Sequence, residues 1–297
     1  MQKELRSALQ RSLEMEGVTI TAEIMPPRGA DCTDALKKAL ELKDYVDAIN
    51  VTDGSRAVMR MSSMALCKVL LDQGIEPVLQ LACRDRNRIA LQAEILGANA
   101  LGLRNILCLT GDPVKVGDQP DAKQVSDFGS IALLKQVSDF NRNKDPISGE
   151  LSNGATNLFP GAAADPNCYS FTSLRKRLEQ KKEAGASFLQ TQMVMNPHVL
   201  ERFCEEVASP LELPVLAGVF LLKSAKNAAF INRVVPGACI PEQIIKRLED
   251  SVEPFAEGIA IASEQAKRFS GIAKGVHLMA IKAEEKIPEI ISLANIN

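Results

Sequence analysis

VDAINVTDGSRAVMRMSSMALCKVLLDQGIEPVLQLACRDRNRIALQAEILGANALGLRNILCLTGD, residues 46–112, carries the reading that decides the fold. Three short apolar runs rich in β-branched residues, 46–52, 75–83 and 104–112, have the composition of strands. Between them lie two longer stretches, 55–73 and 86–100, whose apolar residues recur at helical spacing. Strand, helix, strand, helix, strand in this order is the pattern of a parallel sheet with helical crossovers.

The same rhythm extends outward in both directions. Upstream, GVTITAEI (17–24) alternates as a strand and breaks at Pro26-Pro27, and 32–45 follows as a helix with Thr33 or Asp34 as its N-cap. Residues 1–16 read as an N-terminal amphipathic helix. Downstream of a polar loop (113–124), helix 125–141 and a long loop lead to a short strand near 157–159 and a helix over 173–184. Strand 186–194, helix 196–209, strand 213–222 and helix 224–235 follow. Two more helices within 241–269, a strand over 273–281 and a closing helix, 284–295, complete the chain. Eight β-then-α units without an internal linker predict a single-domain (β/α)8 TIM barrel spanning 1–297. An open dinucleotide-binding sheet would want G-x-G-x-x-G after its first strand, and that motif is absent there.

Composition narrows the function. The net charge is −2 with 24% charged residues, which argues against a nucleic-acid partner. No run of 18 apolar residues suggests a membrane span, and the charged start lacks the apolar region of a signal peptide, so the expectation is a cytoplasmic protein. Seven scattered cysteines, with no C-x-x-C pair, fit free thiols better than a disulfide or metal framework. Only His198 and His277 are available as histidines, so acid–base chemistry must rest mainly on carboxylates.

In such barrels function gathers where strands end and βα loops begin. The predicted ends present Glu23, Thr52 and Asp53, Gln80, Thr110-Gly111-Asp112, Phe159, Gln192, Gly218, and His277 to Met279. This ring is polar and mostly uncharged, without a metal-ligand set, and suits a planar hydrogen-bonding heterocycle such as a flavin or pterin. Glu23, in an apolar strand before a rigid Pro-Pro pair, reads either as a partly desolvated proton donor or as an interior glutamate held by a basic partner. Asp112 reads as a ligand-facing acid or a turn residue, and Gln192 as a ligand contact or a buried glutamine. Arg56, Arg84, Arg86, Arg177, Lys181, Lys223 and Lys226 near the rim are phosphate contacts or solvated charges.

Five segments resemble the methylenetetrahydrofolate reductases. AEIMPPR (22–28) resembles their E-x-x-P-P-R signature, NVTDGSR (50–56) their V-T-x-G segment, and LACRDRNR (81–88) their L-T-C-x-D-x-N. LTGD (109–112) is similar to their L-x-G-D, and AGASFLQTQMV (184–194) to their A-G-A-x-x-x-x-T-Q. Order and spacing agree over roughly residues 18–280. The resemblance implies that Glu23 is the acid that protonates N5 of the folate and that Asp112 sits near flavin and pterin. It implies that Gln192 serves both folate and nicotinamide sites, that Thr52, Thr110 and Gly111 touch the flavin, and that Lys181 lies near the cofactor's phosphate or ribose. Gln80 stands where many relatives place a histidine beside the flavin; Phe159, at a strand end, and Arg177, on the rim, join the candidate cofactor contacts.

The activity so implied is reduction of 5,10-methylenetetrahydrofolate to 5-methyltetrahydrofolate, in one-carbon metabolism and methionine biosynthesis, with FAD or FMN bound and NAD(P)H as hydride source. The chain resembles the compact bacterial type, without the C-terminal regulatory region of the animal enzymes, and is expected to form a homo-oligomer. Two departures bear on the electron source. Ala225 stands near the place of an aromatic that helps fold NADH over the flavin, and VHLMAIK (276–282) replaces a more polar ending, Y-T-L-N-R. They leave open an electron-donating partner protein, as in the acetogen-type reductases, or a flavin-free folate-binding or methyltransferase subunit.

Overall fold

The computed structural model describes residues 6–145, 147–151, 153–235 and 237–296. Eight parallel strands close a barrel in chain order: β1 (Thr19–Ile24), β2 (Ala48–Val51), β3 (Pro77–Ala82), β4 (Asn105–Leu109), β5 (Phe159–Ala164), β6 (Phe188–Met193), β7 (Val215–Phe220) and β8 (Gly275–Met279). β8 pairs back onto β1, with His277 opposite Thr21. After α1 (Ala8–Glu14), the helices α2 (Thr33–Leu42), α3 (Ser63–Asp72), α4 (Arg88–Ala100), α5 (Ser130–Asn141), α6 (Phe171–Glu183) and α7 (Pro197–Phe203) follow β1 to β6 in turn. Three helices, α8 (Ala225–Val234), α9 (Glu242–Asp250) and α10 (Pro254–Ser270), separate β7 from β8, and α11 (Ile287–Ala294) closes the ring. The (β/α)8 barrel read from the alternation is the fold.

Period-two alternation sorts each strand between two environments. On β1, Ile20, Ala22 and Ile24 join the layer that includes Ala35, Ala39 and Leu42 of α2, leaving Thr19, Thr21 and Glu23 for the interior. The lower interior is apolar: Ala48, Val78, Leu107, Phe188 and Leu216 pack with Leu9 and Leu13 of α1, which plugs the N-terminal opening. Ser7 caps that helix, its Oγ accepting from the Gln10 N–H at 2.9 Å. The helix expected over 1–16 is thus a seven-residue plug at 8–14, and residues 1–5 lie outside the described residues.

Other boundaries also differ from the sequence reading: the helix expected over 55–73 is α3 at Ser63–Asp72, with a separate turn at Ser55–Ala57, and three more differ for identifiable reasons. The N-cap position of α2 is Cys32, not Thr33 or Asp34; Asp31 accepts from both the N–H and the hydroxyl of Thr33 (2.9 and 2.6 Å). α5 begins at Ser130, not 125, because the Val125 and Ser126 N–H groups are taken by the Arg84 carbonyl. The largest correction is β5, which runs from Phe159 to Ala164 instead of ending at Phe159. Its Pro-Gly-Ala-Ala-Ala run has little strand propensity, and small residues are required there. A Cβ on Gly161 would lie 2.2 Å from the Phe188 ring.

Candidate active site at the barrel mouth

Above the apolar plug the barrel interior turns polar. Glu23, next to last on β1, keeps 17% of its side chain exposed, while Asn50, Thr52, Gln80, Gln190 and His277 are buried. Gln80 donates from Nε2 to Glu23 Oε2 at 3.2 Å and lies 3.5 Å from Asn50 Oδ1. On the other side His277 Nε2 is 3.7 Å from Glu23 Oε2, and its Nδ1 shares a hydrogen bond of 2.9 Å with the Thr21 hydroxyl. A carboxyl, an amide and an imidazole from β1, β3 and β8 therefore converge, which the closed barrel makes possible. Four interior side-chain atoms around them have no hydrogen-bond partner: Asn50 Nδ2, Thr52 Oγ1, Gln190 Oε1 and His277 Nε2. Buried polar atoms are rarely left so, and this concentration marks a place for a polar guest.

At the end of β4, Gly111 adopts φ +87°, and a Cβ there would lie 2.8 Å from the Arg84 Cβ, so only glycine fits this turn. Thr110 donates from Oγ1 to Ser130 Oγ at 3.3 Å. Asp112 accepts from the Arg56 N–H at 2.7 Å. That bond holds a strained segment, because Arg56 and Ala57 both have left-handed φ (57 and 54°), following Gly54, for which such a φ costs little. Arg86 pairs with Asp53 at 2.6 Å, and Asp53 also accepts from the Ala82 N–H, while buried Arg84 is held by Asp85 and the Gly54 carbonyl. These arginines organise the β2 and β3 loops.

Gln192 sits at a β-bulge. Pairing of β6 with β7 runs through Gln190–Leu216 and resumes one residue out of step at Met193–Gly218. Thr191 fills the gap, accepting from the Gly218 N–H at 2.8 Å and donating to the Gln192 carbonyl at 2.7 Å. The Gln192 Oε1 turns back onto the Met193 N–H at 2.9 Å.

Three candidates stand apart. Phe159 begins β5, at the opposite end of the barrel from the mouth, and stacks on Phe188 with centroids 5.3 Å apart; it packs against the α1 plug and leaves the set of cofactor contacts. Arg177 is exposed on α6. Lys181, one turn later, is buried with its Nζ on the Ala163 carbonyl at 2.6 Å; burial, and secondarily Arg177, pushes its ammonium down to about 8. In this arrangement its amine is committed to backbone, not offered to a phosphate. Conversely, His277 was visible as a strand-end residue but not as a partner of Glu23, and half-buried Asp165, just beyond β5, was missed because that strand was misplaced. Burial raises the Asp165 carboxyl above its usual range.

The fold and its mouth define an α/β barrel with a cluster of buried polar side chains inside its C-terminal end. Residues 8–295 match the family model described as methylenetetrahydrofolate reductase, and the chain belongs to that family. It is 26% identical to the 5,10-methylenetetrahydrofolate reductase of Pectobacterium carotovorum subsp. carotovorum, covering 75% of this chain and 71% of that one. It is 23% identical to a Caenorhabditis elegans protein named "Probable methylenetetrahydrofolate reductase (NADPH)", over 97% of this chain but only 44% of that protein's length. Among solved structures, a Clostridium thermocellum protein described as binding two copies of 5-methyl-5,6,7,8-tetrahydrofolic acid superposes with TM-score 0.67, at 16% identity and 96% coverage of both chains. That likeness shows the fold. No helix among the described residues is long and apolar enough to cross a membrane.

Proposed function

We propose that this chain reduces 5,10-methylenetetrahydrofolate to 5-methyltetrahydrofolate with a bound flavin, FAD or FMN, and NAD(P)H. The observation that carries the reading is the Glu23 carboxyl at the end of β1, braced by Gln80 and faced by His277, in a chain of this family. The folate bound by the Clostridium thermocellum protein of the same fold supports a folate in the mouth. The residues present fit a flavin. Thr52 Oγ1 is buried and unpartnered, Gly111 allows close backbone approach, and the surrounding donors are mostly uncharged. Thr52, Thr110, Gly111 and Gln80 are the residues proposed to hold it, and when bound it supplies the hydride chemistry.

The chain's own work is proton placement and orientation. Cleaving the bond between the methylene carbon and N10 leaves the electron pair on N10 and an iminium carbon on N5; because the N5 lone pair is used in that iminium, N10, not N5, takes the Glu23 proton. Asp112, fixed by the Arg56 N–H, would set negative charge on the rim where that cation develops. Gln192 at the bulge is proposed to orient the folate.

One observation favours a different electron source: Ala225 opens α8 within an apolar cluster with Phe220 and Met279, with no aromatic of its own to hold a nicotinamide. Anaerobic titration of the purified protein decides. A yellow protein bleached by NADH or NADPH is the expected result. Bleaching by dithionite alone would assign the electrons to a partner protein, and a colourless protein unaffected by added FAD or FMN would overturn the reductase reading.

A further inference from the structure

We infer that the outer face of α4 is where a second copy of this chain docks, antiparallel and about a two-fold axis, an inference independent of the reaction. A helix on the outside of a barrel buries one face and shows water a polar one. α6 does so, with every exposed position polar or charged. On α4 the buried face is Leu91, Ile95 and Ala98. Beyond Arg88 at its start, however, the exposed positions are apolar as well: Ile89, Ala93, Leu96 and Ala100. Ile89 is 73% exposed and Leu96 40%, and no other described residue covers them. A continuous apolar stripe in water marks a surface that meets another protein.

The spacing says what fits it. The four residues step by four, three and four positions, which is the seam of a coiled coil. Large and small side chains alternate along it. In a parallel pair each residue would meet its own kind, leaving a gap where alanine faces alanine and crowding where leucine faces leucine. Turned antiparallel about an axis between Ala93 and Leu96, the stripe matches itself. Ala93 meets Leu96 of the partner subunit and Ile89 meets Ala100 of the partner subunit, so each contact joins a large side chain to a small one. The positive end of each helix dipole then lies beside the negative end of the other.

Charge and size agree with a copy as the occupant. The seam itself is uncharged, and Arg88 at its edge is paired with Asp127 and lies 5.9 Å from the Phe128 ring centroid. Glu94, the other charge of α4, is half-buried and within electrostatic reach of Arg86. The charges of the flanking helices are paired internally, Lys68 with Asp72 on α3 and Lys135 with Asp139 on α5. The face therefore sets no block of like charge against itself. Exposed Ala65 on α3 and Ala132 on α5 extend the small apolar surface to either side. Three helices each about 10 Å across and about 20 Å long present about 600 Å² in projection. A standard interface takes about 800 Å² of accessible surface from each partner, which is the same scale.

Sedimentation equilibrium of the full-length protein over a wide range of concentration tests this. The expected result is a dimer in wild type and a dissociation constant raised by about tenfold or more in Ala93→Lys and in Leu96→Glu, each of which buries a charge twice at the centre of the seam. Both positions face water in the single chain, so circular dichroism should show the fold unchanged. Mixing the two variants should restore the dimer, because the introduced lysine then meets the introduced glutamate while the native Leu96 and Ala93 still meet each other. Wild-type protein that keeps the mass of a single chain at every concentration would overturn the inference and leave the face to a different protein. A dimer that neither variant weakens, or one lost in both and not restored by mixing, would overturn it as well.

Discussion

Gln80 donates its side-chain amide to Glu23 across the barrel interior, 3.2 Å from Nε2 to Oε2, although β1 and β3 are not neighbours in the sheet. The bond holds one of the two carboxyl oxygens in place. Gln80 therefore acts on the acid directly, whatever it also contributes to a flavin. Gln80→Leu removes the hydrogen bond to that oxygen and should slow the folate step by about tenfold, the rate equivalent of one lost hydrogen bond. Gln80→His keeps a donor and should retain most of the rate. Single-turnover reoxidation with folate checks both, and an unimpaired Gln80→Leu enzyme would remove this bracing role.

Phe159 belongs to the base of the barrel, stacked on Phe188 over the α1 plug. Phe159→Ala should lower unfolding stability by about 1–3 kcal/mol, below the range for a fully buried aromatic because the ring is only partly buried. Because the ring lies at the end away from the mouth, flavin affinity should not change. Urea denaturation and flavin titration of the same variant separate the two, and weakened flavin binding with intact stability would return Phe159 to the site.

Lys181 gives a pH signature. Burial lowers its ammonium in the fold from 10.5 to about 8. Between those values the unfolded chain holds the proton and the folded chain does not, so stability rises with pH through that window. Below about 8 both states are protonated and the full penalty of burying the charge applies. Lys181→Met should therefore be more stable than wild type at pH 7, by about 1–3 kcal/mol. The difference should shrink as pH climbs toward 10. A gap that does not vary with pH in paired urea melts would contradict this account.

Much of this was legible because the strong strands announce themselves. Runs such as Ile75 to Cys83 are apolar and end in turn residues, so Glu23, Thr52 and Asp112 could be assigned to the mouth from strand ends alone. β5 failed because its small residues answer to the Phe188 ring, a partner far away in sequence, and that one misplacement put Phe159 at the wrong end and hid Asp165. The Gln80–Glu23 and His277–Glu23 contacts depend on how the closed barrel staggers its strands, which periodicity does not encode. The bulge at Gln192 and the burial of Lys181 are likewise tertiary facts, since a bulge needs two strands in register and a lysine near a helix end usually stays in water.

The central claim is that Glu23 supplies the proton for folate reduction, and one measurement addresses it most directly. Flavin-loaded wild type and Glu23→Gln are reduced with dithionite under anaerobic conditions, then mixed with 5,10-methylenetetrahydrofolate while the flavin absorbance is followed. The account predicts that both proteins bind and accept electrons into the flavin. Wild type should reoxidise with formation of 5-methyltetrahydrofolate, and Glu23→Gln should be slower by about a hundredfold or more. Reoxidation at the same rate in both proteins would contradict it.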